Sequence, residues 1–265
     1  MERATTDTAR EVARDFYEVL LEEDAGTLGA LARGPLIVDD PLFGRWDGDG
    51  FAERFETCAR WLESRSAAFT RDALTLSGER AVQEFTLYLA ENGRDIVVPV
   101  AVVAEPQDDG GMAVRVYHST WPLTGTHNVR PPLMRCRGGT AVPDVVGAYQ
   151  RALAEGDLTA VLACFAEDGY AREPAGGEWV YLGRERLREF YTALFSVGGG
   201  IPLWHCRVTD DGTRCAIEYV VDRWGEQIVP AQAGVAVYER DGHGKLAAAR
   251  IYDDVRPPDS ADLSH

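Results

Sequence analysis

The chain repeats itself. Aligned at an offset of about 132 to 135 residues, its halves match from end to end, which is the signature of one fold built twice. Near the start, Ala13-Arg-Asp-Phe-Tyr17 lies opposite Val145-Val-Gly-Ala-Tyr149, and Asp24 lies opposite Asp157. Further on, Arg80-Ala-Val-Gln-Glu84-Phe85 matches Arg214-Cys-Ala-Ile-Glu218-Tyr219. At the end, Ala113-Val-Arg115-Val-Tyr117 matches Ala248-Ala-Arg250-Ile-Tyr252. A length of 265 residues suits two compact domains. Glycines and prolines between Thr124 and Val142 break any periodic pattern. The expected division is therefore domain 1 over 1–125, a linker over 126–141, domain 2 over 142–258 and a tail over 259–265.

Each copy carries the same order of signals. Val12, Phe16, Val19 and Leu20 recur at helical spacing, as do Val145, Val146, Tyr149, Ala152 and Leu153. Asp24 and Asp157 then read as N-caps of a second, shorter helix, the latter running through Phe165. A third helix carries Phe51, Phe55, Cys58 and Leu62 in one copy and Leu187, Phe190, Tyr191 and Leu194 in the other. Three or four strand-like runs follow, broken by turn signals such as Asn92-Gly93. The fold class is α+β.

Composition narrows the function. With 27 basic against 43 acidic residues, the net charge of −16 disfavours a phosphate backbone or an anionic lipid surface as partner. No apolar run reaches the roughly 18 to 20 residues of a membrane span, and acids stand where a signal peptide would be apolar, so a cytoplasmic protein is expected. The five cysteines (Cys58, Cys136, Cys164, Cys206, Cys215) are odd in number and widely spaced, which predicts reduced, buried thiols. Lys245 is the only lysine and sits in a polar turn, leaving no candidate for a Schiff base or a phosphate-loop lysine. No histidine and carboxylate pattern suggests a metal, and no cofactor motif is present. Gly198-Gly-Gly200 lacks a nucleotide-loop context and reads as a flexible loop.

Helix, helix, an acid after a short strand, a third helix and a meander ending in Arg-x-Tyr together resemble the nuclear transport factor two-like superfamily, in its SnoaL-like polyketide cyclase branch. The resemblance implies two tandem cones, each a curved antiparallel sheet wrapped around three helices with a pocket inside. Two such domains in one chain are similar in layout to the epoxide-opening cyclases of polyether biosynthesis. By that likeness, Val38-Asp-Asp40-Pro-Leu-Phe-Gly44 supplies Asp40 and the first helix supplies Tyr17, while Glu63 is the nearest carboxylate to the place of a second acid. In the second copy Glu173 takes the place of the aspartate and Tyr252 that of the last-strand tyrosine, with Tyr149 opposite Tyr17. The second acid would fall in the acid-free stretch Gly198 to Pro202.

Two acids in an apolar cone suit epoxide opening, because one proton is delivered to the leaving oxygen and another removed from the nucleophile. The structural alternatives are definite as well. An acid before proline is a turn former. Glu84 and Glu218 either enter the cones or pair with Arg80 and Arg214 on the sheet surface; a cone-facing Glu218 with Asp222 would supply the missing acid. His205 is either a proton carrier or a hydrogen-bonded wall residue. Trp46, Trp121, Trp179, Trp204 and Trp224, with Tyr117, either line pocket entrances for a hydrophobic ligand or fill the core.

The chemistry expected is cofactor-independent cyclisation or isomerisation of a hydrophobic, polyketide-derived small molecule by a monomer or homodimer. Two rivals keep the fold: a pericyclic or aldol-type cyclase that mainly shapes its substrate, and a non-catalytic binder of hydrophobic small molecules.

Overall fold

The computed structural model describes residues 2–136, 140–177 and 179–256. The tail at 259–265 lies outside them. The chain divides into two compact units, Met1–Thr126 and His127–His265.

Two aspartates set the helical layer of each unit. In the first, α1 (Glu2–Leu21) gives way to α2 (Ala25–Ala32), whose Thr27 N–H donates to Asp24 Oδ1 at 2.9 Å. A cap of this kind satisfies a backbone donor that would otherwise have no partner at the helix start. Then come β1 (Leu36–Asp40), β2 (Gly44–Trp46), α3 (Phe51–Glu63), β3 (Ala68–Ser77), β4 (Arg80–Glu91), β5 (Arg94–Pro106), β6 (Met112–Tyr117) and the single turn α4 (Trp121–Thr124). Asn92 and Gly93 both have positive φ, the backbone a tight hairpin between β4 and β5 demands.

The second unit repeats this as α5 (Asp144–Glu155), α6 (Leu158–Cys164), β7 (Phe165–Arg172), β8 (Val180–Leu182), α7 (Gly183–Phe195), β9 (Leu203–Asp210), β10 (Arg214–Trp224), β11 (Gln227–Arg240) and β12 (Leu246–Tyr252). Asp157 Oδ1 accepts from Ala160 N at 2.9 Å, as Asp24 does in the first copy. Phe165, expected in the helix of the shorter pair, instead begins β7. Among the described residues no helix is long and apolar enough to cross a membrane.

Each unit has one six-stranded sheet, ordered β2-β1-β6-β5-β4-β3 and β8-β7-β12-β11-β10-β9. The expected antiparallel sheet is in fact mixed: β1 runs parallel to β6, and β7 parallel to β12. The helical crossover explains this, since β1 and β7 are laid down before α3 and α7 and are joined only later by the last strand of the meander. The concave face carries one apolar core per unit, built on Phe16, Trp46 and Phe85 in the first and on Tyr149, Tyr191 and Tyr238 in the second.

The division into units falls after Thr126, and within the stretch 126–141 read as linker, Ala233 N donates to Arg130 O at 2.8 Å. Two sequence expectations change here. Cys136 and Cys206 of β9 form a disulfide, against the expectation of reduced thiols, whereas Cys58, Cys164 and Cys215 are free and buried. The triglycine stretch is tightly packed rather than loose: Ile201 N donates to Leu153 O at 2.9 Å and Gly225 N to Gly200 O at 2.7 Å. A Cβ on Gly200 would meet three backbone atoms of the α5 terminus at 2.4 Å, so no larger residue fits.

Candidate functional site

The two cones differ in what they enclose. In the second unit a cavity of about 100 Å3 is walled by α5, α7 and the concave face of β7, β10, β11 and β12. In the first unit the corresponding space is about 20 Å3, room for roughly a single water. The aromatic packing of the two copies differs as well. Trp46 is fully buried and stacks on Phe16 at 6.3 Å, with Phe43 and Phe51 edge-on to it, where the second copy aligns Ala148 opposite Phe16.

Glu173 reaches the cavity because Pro174 ends β7. The loop that follows closes through Gly176 N to Glu173 O and Glu173 N to Trp179 O, both at 3.0 Å. Its carboxylate accepts from the Tyr181 hydroxyl at 2.5 Å. Burial pushes this carboxyl above the ordinary glutamate value, opposed by the Tyr181 hydrogen bond and by His127.

A second acid stands in the same wall. Asp253 follows the last-strand tyrosine and accepts from the Tyr219 hydroxyl at 2.6 Å. Burial raises it to about 6, against the pull of the Tyr219 hydrogen bond. Tyr219 lies flat because its partner across the ladder is Gly234, where a Cβ would sit 2.6 Å from the ring. Next to Asp253, Asp254 accepts from Asn128 N at 2.7 Å and contacts His127 Nδ1 at 3.0 Å.

Phenols supply further polar atoms of the wall. Tyr149 and Tyr191 share a hydrogen bond at 2.8 Å, and burial raises both well above the ordinary tyrosine value. Trp224 also lines the cavity and donates to Leu194 O at 3.1 Å, fixing α7 to the end of β10.

Of the residues singled out from sequence, Tyr149, Glu173 and Trp224 meet at this cavity. The others stand elsewhere, for identifiable reasons. Tyr252 and Glu218 alternate with cavity-facing neighbours and so point to the other face of the sheet, where the Arg172 guanidinium lies 4.5 Å over the Tyr252 ring. Glu84 and Glu218 are both buried, while Arg80 and Arg214 lie within ion-pair distance of Glu105 and Glu239. Asp222 sits at a bulge of β10 and accepts from Trp204 Nε1 at 3.1 Å. His205 contacts Gln150 Oε1 at 3.1 Å, and burial lowers its pKa. Trp179, Trp204 and Trp121 are substantially exposed and do not line the cavity.

In the first unit, Asp40 forms the turn that the Asp-Pro dipeptide suggests, accepting from Leu42 N at 2.7 Å and Phe43 N at 2.9 Å. Tyr17 is buried beside it and its hydroxyl is pushed well above the ordinary tyrosine value, first by burial and then by Asp40. Both border the small space, together with His118, which the repeat aligns with Asp253. Glu63 is exposed at the end of α3, and Tyr117, like Tyr252, lies off the concave face.

Sequence comparison gives the class of this site's host. The family model described as a SnoaL-like domain matches residues 146–249, which lie within the second unit. The first unit repeats its architecture strand for strand. Several solved structures are similar to about two fifths of the chain. One is an epoxide hydrolase/cyclase-like enzyme, SalBIII, described for pyran ring formation in the polyether salinomycin; it is 22% identical over 41% of this chain and 86% of its own, with a TM-score of 0.35. Another is an uncharacterised cystatin-fold protein from Novosphingobium aromaticivorans, 20% identical over 42% and 95%, with a TM-score of 0.36. A third is an NTF2-like protein from Anabaena variabilis, 23% identical over 43% and 86%, with a TM-score of 0.36. No curated protein matches the chain significantly.

Proposed function

We propose that the second unit is the working half of a cofactor-independent enzyme that cyclises or isomerises a hydrophobic, polyketide-derived small molecule by acid–base chemistry, with epoxide-opening ether formation as the reaction. One observation carries this reading: Glu173 and Asp253 face one apolar cavity, each is raised by burial, and each is held by a tyrosine hydroxyl. Two carboxyls on one apolar cavity can serve as donor and acceptor. In this reading Asp253, raised to about 6, is the donor, and Glu173, in the same wall, is the acceptor.

In the reaction, the carboxylic acid of Asp253 protonates the epoxide oxygen as its carbon–oxygen bond breaks. The substrate's own hydroxyl oxygen forms the new carbon–oxygen bond and gives its proton to the Glu173 carboxylate. Return of that proton from Glu173 to Asp253 through solvent resets the site. Tyr149 and Trp224 serve as wall residues that hold the apolar substrate. The first unit, with room for a single water, is a packed copy in which Asp40 holds a turn.

The test is conversion of a short-chain epoxy alcohol to a cyclic ether, followed by chromatography. Glu173→Gln and Asp253→Asn should each lower kcat by roughly 100-fold or more, the usual worth of a positioned acid or base. Asp40→Asn should leave turnover unchanged. The rate should be bell-shaped in pH and fall on the alkaline side near 6, where Asp253 loses its proton. A double Glu173→Gln, Asp253→Asn variant working at the wild-type rate would refute proton transfer and favour a cyclase that only folds its substrate. Recovery of unaltered ligand after long incubation with wild-type protein would favour a binder.

A further inference from the structure

Among the phenols of the cavity wall, one hydroxyl is unspent. Tyr238 on β11 is fully buried, its side chain lines the cavity, and its hydroxyl has no hydrogen-bond partner among the described residues. The other phenols of the wall are committed: Tyr149 and Tyr191 to each other, and Tyr219 to Asp253. A buried hydroxyl left without a partner costs on the order of 1–3 kcal/mol, so such groups are few in native proteins and call for an explanation.

Gln150 acts on the Tyr238 hydroxyl as a hydrogen-bonding neighbour that lowers its pKa, without closing a bond of acceptable geometry. Its Oε1 is engaged by His205 at 3.1 Å, which leaves the amide nitrogen, a donor, toward the phenol. A donor can serve only the lone pairs of Tyr238, and the phenol hydrogen still needs an acceptor. Tyr149, Tyr191, Tyr219 and Asp253 all act electrostatically on or through Tyr238, which places the hydroxyl in the same chamber as the two acids' partners.

We propose that Tyr238 is the donor that seats an acceptor oxygen of the ligand, which makes the ligand a compact apolar molecule bearing a carbonyl, epoxide or ether oxygen, and makes Tyr238 the residue that selects it over the hydrocarbon analogue. A cavity of about 100 Å3 is of the order that admits one six-membered ring, since an apolar cavity of about 150 Å3 binds benzene. The inference rests on the reading of this cavity as the ligand site but not on the acid–base step, because its test reads binding and not turnover.

The probes are cyclohexanone and methylenecyclohexane, which have nearly the same shape and differ in whether an acceptor oxygen is present. Binding is followed by ligand-observed NMR with the full chain. Wild-type protein should prefer the ketone by about tenfold, or about 1.4 kcal/mol. Tyr238→Phe should erase that preference while leaving affinity for the alkene and the melting temperature unchanged or higher, because no protein hydrogen bond is lost. Gln150→Leu should keep the preference. The proposal is overturned if wild-type protein binds neither probe or both equally. It is equally overturned if Tyr238→Phe keeps the preference, or if its melting temperature drops by several degrees, as loss of a structural hydrogen bond requires. Loss of turnover in the Glu173 and Asp253 variants has no bearing on these outcomes, so the two readings fail separately.

Discussion

A carboxyl sunk in an apolar wall ties folding to pH, and the sign follows from where its proton binds more tightly. Asp253 is raised to about 6 in the folded chain, whereas the unfolded chain ionises near the ordinary aspartate value of about 3.9. The folded state therefore gains stability from this proton below about pH 4 and loses it as pH rises through about 6. Two pKa units at about 1.4 kcal/mol each amount to about 3 kcal/mol. Urea unfolding between pH 4 and 7 should show that loss in wild-type protein and a flatter profile in Asp253→Asn, with Glu173 leaving a slope of the same sign. A variant as steep as the wild type would contradict the burial of this group. Sequence reading found Glu173 but passed over Asp253, although it stopped one residue away at Tyr252. Strand alternation puts those neighbours on opposite faces, and β11 beside them is buried on both, so no polar periodicity marked which face was inner. His118 at the matching position of the first copy concealed the acid further, because the repeat is not conserved in charge there.

At the scale of elements, the order of helices and the four-stranded meander could be read from period and capping, as Asp24, Asp157 and Asn92-Gly93 show. No sequence signal located β2, β3 or β8, and β7 was expected only as a short strand after a helix running through Phe165. The Phe165 to Arg172 stretch, Phe-Ala-Glu-Asp-Gly-Tyr-Ala-Arg, has little intrinsic strand preference. Its parallel pairing with β12, distant in sequence, holds it extended. One contact between elements matters to the site more than any propensity. Gly234 on β11 lies directly under the Tyr219 ring of β10, and that ring carries the hydroxyl that holds Asp253. Gly234→Ala should displace the ring, destabilise the second unit by about 1–3 kcal/mol through overpacking and break the Tyr219 to Asp253 bond. Loss of the carboxyl's interaction should appear in the Asp253 titration by NMR. A variant with native stability and an unshifted titration would show the strand relaxing around the new methyl group.

At the scale of the molecule, two units with the same strand order differ in whether their concave faces close on themselves. The duplication was legible from the offset between halves, but the difference in filling was not. Filling is set by how side chains pack in three dimensions, and residues such as Phe16 and Trp46, buried and stacked on each other, look in the alignment like ordinary members of a helix or a loop. The indoles are placed to make this difference useful. Trp46 is locked in the filled copy, and Trp224 stands in the wall of the hollow one. The chain thus carries its own optical reference. Cyclohexanone titrated into single-tryptophan variants should change the emission of Trp224 and leave that of Trp46 constant, so that one indole reports occupancy while its counterpart calibrates the lamp.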